Sequence, residues 1–226
     1  SFTGVNLDGG LDIADSAGTH ATLSNVDLAG TLDIKNASSV VTLSNQLDVS
    51  GTPVIKGAGT LNAAGNIISA AAVITLGEDA ASATSVANIS NATITGSGIA
   101  LFDVGATARD KTLLIALENV TVINDFNRAT GVALTLENVT LLGGLSDDNS
   151  AATDSVTIRG TFDANEKSVA GAVSVESAQV SNATFAGLVT VASNSALTAD
   201  ASFTGVNLDG GLDIADSAGT HATLSN

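Results

Sequence analysis

The 226-residue chain contains no Cys, Met, Trp or Tyr and a single Pro. Without cysteine there is no disulfide framework, no thiolate metal site and no thiol nucleophile, so stability must come from packing and backbone pairing. The lack of oxidisable Cys and Met is compatible with life outside the cell. Aromatic residues are only six Phe, which offers core material and no sugar-stacking platform. Basic residues are also scarce, seven against 23 acidic ones for a net charge of −16. That charge repels nucleic acid and anionic lipid and excludes both as partners. No run approaches the ~18 uninterrupted apolar residues of a membrane span. Ser1 opens on strand-like sequence rather than a signal peptide, so any targeting signal is expected outside this stretch.

What is present is repetition. Residues 202–226 reproduce residues 1–25 letter for letter. An enzyme has no use for a second copy of its first 25 residues, whereas a fibre or stalk built from tandem units does. Residues 1–201 therefore read as one complete unit and residues 202–226 as the start of the next, in an excerpt of something longer. A finer repeat lies inside: V-N-L-D-G-G-L-D-I from Val5 is answered by V-D-L-A-G-T-L-D-I from Val26 and L-D-V-S-G-T-P-V-I from Leu47. With drift the pattern continues at Ile68, Ala92, Val120, Val139, Gly160, Ala183 and Val206.

Within each coil Val5, Leu7, Leu11 and Ile13 alternate with Asn6, Asp8 and Asp12, a period of two that describes short strands with one buried face and excludes a helix. Gly9, Gly30 and Gly51 mark a corner between strands. The slot before each coil is Gly4, Asn25, Asn91, Asn119, Asn138 or Asn182, residues that tolerate left-handed backbone. Stacked Asn side chains in that slot can pair as a ladder. Coils of this kind bury their apolar faces only against neighbours, so the expected fold is all-β: a parallel β-helix, or β-solenoid, of about nine coils per 201-residue unit. Right-handed coiling is expected from the usual hand of parallel crossovers. Nine coils at the ~4.8 Å strand spacing advance roughly 43 Å.

The acids fall in register. Asn6, Asp27 and Asp48 share one outward slot, and Asp12 and Asp33 another. Like charges ~4.8 Å apart repel modestly in water, and Ca²⁺ among Asp8, Asp12, Asp27, Asp33 and Asp48 would relieve this. The preferred reading is a solvated face without a cofactor, because the glycine-rich nonapeptide of Ca²⁺-binding solenoids is present only as the fragment Gly9-Gly10 with Asp12. His20, repeated as His221, reads as a surface residue in a variable return, with Val41 in the similar place one coil on. The pairs Glu78-Asp79, Asp147-Asp148 and Asp163 with Glu166 are the candidates for a polysaccharide-cleaving β-helix, but they read as parts of long returns. The triplets at Asn36, Asn88, Asn91, Asn119, Asn138 and Asn182 match glycosylation acceptors; an Asn corner followed by V-T or A-T strand sequence explains four of them. The chain is not expected to be an enzyme.

Asn- and Gly-punctuated coils, strands of the V-T-L and L-D-I type, acidic charge and near-identical tandem units resemble the rods of giant bacterial surface and exported proteins, of the filamentous-haemagglutinin-like and biofilm-adhesin kinds. The resemblance implies secretion, a cell-surface or matrix location, and a rod or spacer role with neighbouring copies of the repeat as partners. The alternatives are a β-helix enzyme acting on polysaccharide and a cation-binding adhesive module.

Overall fold

In the computed structural model, residues 1–77, 84–97, 99–101, 112–124, 126–128, 132–147, 155–192, 200–215 and 219–226 are described. All regular structure among them is β-strand, and every strand pair is parallel. The chain winds as a β-solenoid with three strand-bearing faces, each visited once per coil.

The first face stacks Phe2 under Leu23, then Leu23 under Leu43. Beside them the column Val41, Leu61, Ile89, Leu117, Leu136, Ile158, Val175, Val191 and Ile214 continues the same ladder. The second face carries the strands of Leu7, Leu28, Val49 and Ala70, passes through those of Ile94, Val122 and Leu141, and ends on the column Phe162, Val180, Phe203 and Leu224. The third face stacks Leu11, Leu32, Ile55 and Leu76, and continues through Phe126, Leu145, Val169, Phe185 and Leu208.

Period-two alternation sends Val26 and Leu28 inward and Asp27 outward, and Leu32 and Ile34 inward beside Asp33. One continuous aliphatic core results, with Phe126, Phe162, Phe185 and Phe203 as its largest fully buried members. Each coil alone would leave its apolar row in water; stacking removes that row and satisfies the backbone N–H and C=O groups in one step.

The coil starts Val5, Val26, Leu47 and Ile68 lie in one register. Three others are corrected. Ile68 pairs with Ile94 rather than Ala92, because the strand Thr84–Gly96 turns its corner at Asn91 and begins the second face two residues early. Gly160 is a corner and not a strand start: its φ of +63° takes the place the Asn ladder held below, and Phe162 is the residue over Val139. Ala183 stacks on Lys167, on the third face.

The two coils that follow are tighter than the rest. Val173 stacks on Val156 and Val189 on Val173, 17 and 16 residues apart, whereas Val26 and Leu47 lie 21 apart. The return is reduced there to Ala170-Gly171-Ala172, with Gly171 at φ +78°. Gly187 lies so close above it that a Cβ would sit 2.2 Å from the Gly171 carbonyl oxygen. Gly187→Ala is expected to cost about 1–3 kcal/mol by forcing these coils apart, measured as a lowered urea midpoint. Gly9→Ala should cost far less, since a Cβ there meets nothing within 4 Å.

Candidate functional site

The acidic slots lie on the wet sides of the second and third faces. Asn6, Asp27 and Asp48 stack directly, as do Asp12 and Asp33. The next member of the latter column is a cation, since Asp33 stacks under Lys56. Lys56 Nζ lies 3.4 Å from Asp33 Oδ2, and Lys35 Nζ donates to Asp12 Oδ2 at 2.6 Å. Donors also meet the other column: Ser50 Oγ donates to Asp27 at 3.0 Å and Gln46 Nε2 to Asp48 at 2.6 Å. Asp8 is exposed at the Gly9-Gly10 corner.

The hydrogen bond to Asp12 holds the Lys35 ammonium above the usual lysine range, and the carboxylates of Asp12, Asp33 and Asp15 add to it against some desolvation. Because the folded-state value is raised, this contact is complete at neutral pH and fades only as the pH climbs above the ordinary 10.5. Gly9, Gly10, Asp12, Thr31, Asp33 and Lys56 line a shallow depression of about 300 Å³. Its two carboxylates face lysines of the same chain, which occupy the place of a counter-ion. Among the described residues no group of three or more His, Cys, Asp or Glu side chains gathers with the spacing of a metal site. Addition of a chelator is expected to leave the thermal midpoint unchanged. A fall on chelation, restored by Ca²⁺, would show that the acids hold a cation.

A second depression, about 440 Å³, lies on the second face among Thr140, Thr161, Asp163, Gln179, Ser181, Ser202 and Thr204. Asp163 is its one carboxylate. It is not part of a long return: both Asp163 and Glu166 lie within the strand Ser155–Val169, whose corner at Asn165 and Glu166 has φ of +50° and +62°. Asp163 accepts from the Asn165 backbone N–H at 2.7 Å, Ser181 Oγ at 3.1 Å and Asn182 Nδ2 at 2.9 Å. Three donors occupy its lone pairs, so it works as a corner cap rather than a free acid or base. Glu78, Asp79 and Asp148, together with the side chain of Asp147, lie outside the described residues.

His20 begins the strand His20–Ser24, so it belongs to the strand rather than the return, and it stacks under Val40 rather than Val41. Its copy His221 stacks over Asp200, with Nδ1 3.2 Å from the carboxylate in an exposed pair.

The most regular polar feature is the asparagine corner between the first and second faces. Asn25, Asn91, Asn119, Asn138 and Asn182 all take φ between +47° and +54°. Asn91 donates to Asn62 Oδ1 at 3.0 Å, Asn119 to Asn91 at 2.9 Å and Asn138 to Asn119 at 3.1 Å, and the Thr161 N–H then donates to Asn138 Oδ1 at 3.0 Å. Each amide is both donor and acceptor along the axis, which gives these triplets a structural use. Asn119→Ala would lose two ladder bonds and force Ala into the left-handed region, for about 2 kcal/mol in all. Asn119→Gly should recover roughly half by relieving the backbone. Urea midpoints of the two variants check this ordering.

Scans of protein-family models, curated proteins and solved structures find no match to this chain. Its reading rests on its own residues.

Proposed function

We propose that the chain is a mechanical element: a repeating β-solenoid segment of an extracellular bacterial fibre or giant surface adhesin, serving as rod and spacer, with neighbouring copies of the same repeat as its partners. One comparison carries this reading. Leu23 is 1 % exposed and Ile13 5 %, yet their copies Leu224 and Ile214, in the last coil, are 58 % and 46 % exposed. Sequence and backbone are the same; the difference is a coil stacked above.

The second copy is already docked on the first by the same parallel ladder, through Val180 with Phe203, Phe185 with Leu208 and Val189 with Leu212. A further coil laid on residues 212–225 would bury the row that Leu224 and Ile214 leave in water, at about 25 cal/mol per Å². Charge supports the same role, because a rod with net charge −16 resists lateral clumping. The proposed surface location rests on the resemblance to exported bacterial rods and on the absence of oxidisable Cys and Met.

Small-angle X-ray scattering of chains carrying one, two and three units tests the rod. The cross-section should stay constant while length grows by roughly 45 Å per unit, the advance of nine-odd coils at ~4.8 Å. A cross-section that widens with unit number, or units that tumble independently, would refute it.

A further inference from the structure

The two copies of the 25-residue segment do not lie on the same faces. Phe2 stacks under Leu23 on the first face, while its copy Phe203 stacks on Val180 on the second. Leu7 lies on the second face and its copy Leu208 on the third, over Phe185. Leu11 lies on the third face and its copy Leu212 on the first, over Val189. All three shifts are one face in the direction of winding.

From this we infer that consecutive units of the array are set one face apart: each 201-residue unit contains nine coils and a third, so a given side chain returns to the same face only at every third unit. The inference rests on the tandem-rod reading and adds the relation between units.

The glycines give the same answer. A Cβ on Gly30 would lie 3.0 Å from Gly9 C, so in the first copy this glycine stacks at the corner between the second and third faces. In the second copy its equivalent Gly210 stacks on Gly187, a Cβ there lying 2.2 Å from Gly187 C, at the corner between the third and first faces. The cause is the pair of tight coils. By closing the return with three residues at Gly171 and again at Gly187, the chain gains a face that the long returns of the earlier coils do not allow. The following long connection, residues 192–199, then joins the first face to the second.

Such a rod has no privileged side. Every exposed group on a unit, His20 and the Asp12–Lys35 pair included, is presented in turn on all three faces along the array. A surface or matrix ligand that recognises the unit can therefore engage the fibre from any direction. Full equivalence returns after three units, about 135 Å at the ~4.8 Å spacing.

Paired cysteines in this cysteine-free chain test the phase directly, because stacked outward residues fall within the Cα separation that a disulfide accepts. Ser181→Cys with Thr204→Cys joins stacked neighbours on the second face, and Thr190→Cys with Asp213→Cys does so on the first. Both are expected to oxidise to crosslinked species. Thr190→Cys with Thr204→Cys should show complete loss of the crosslink, since that pair would stack only if the unit held a whole number of coils. Crosslinking of this third pair with failure of the first two would overturn the inference while leaving the rod intact. Failure of all three would mean that the second copy does not dock, and both readings would fall.

Discussion

Leu47→Asp is expected to unravel the amino-terminal coils. Leu47 is fully buried and stacked between Val26 and Ile68 on the second face. A carboxylate there has no cation within the core, and the substitution combines lost apolar packing with an unpaired buried charge, at least about 4 kcal/mol. That is a large share of the 5–15 kcal/mol that holds a typical domain. A solenoid transmits stability only between neighbours. The coils below Leu47 should therefore lose protection from hydrogen exchange while those around Val139 to Val191 keep it. Asp48→Asn, one residue away on the wet side, should leave both regions as they are, because an amide still accepts from Gln46. Uniform loss of protection along the whole chain would contradict nearest-neighbour stacking.

Phe162→Ala should have the next largest effect. The ring is 1 % exposed, lies between Val139 and Val180, and has its centroid 6.4 Å from that of Phe185. It fills the wider core at the point where the corner changes from Asn138 to Gly160 and the chain enters its tight coils. Truncation leaves a cavity that two flanking β-ladders prevent from collapsing, for about 3–5 kcal/mol. Phe162→Leu keeps most of the volume and should cost under about 1.5 kcal/mol. Urea denaturation of both variants measures the difference. Equal midpoints would show that the ring packs loosely.

Most of the architecture was legible because one rule recurs in every coil. The alternation in Val26-Asp27-Leu28 gives the strand and its buried side, and Asn25, Asn91, Asn119 and Asn138 give the corner, since few other residues accept left-handed backbone. The phase was not legible, for a physical reason. The three faces are built from the same V-x-L and L-x-I strands, so a string such as G-T-F-D-A fits either a second-face or a third-face register. Only corner length separates them, and the three-residue corners at Gly171 and Gly187 resemble the ordinary Gly corner at Gly30. Equating Gly160 with Ala183 hid the extra face.

At the acidic slots the counter-charge was within reach of the sequence. Lys56 follows Ile55 just as Asp33 follows Leu32, and reading the coil one residue further places a cation in the Asp12–Asp33 column. The role of Asp163 as a corner cap needed the structure, because it depends on Asn165 and Glu166 both taking positive φ.

The claim underlying all of this is that copies of the unit continue one uninterrupted stack. Cryo-electron microscopy of a three-unit array tests it most directly. The account predicts layers ~4.8 Å apart running unbroken through each junction, with successive units turned by one face and equivalent side chains recurring after about 135 Å. A gap or hinge between Val191 and Phe203 at each junction, with the units as separate beads, would contradict it.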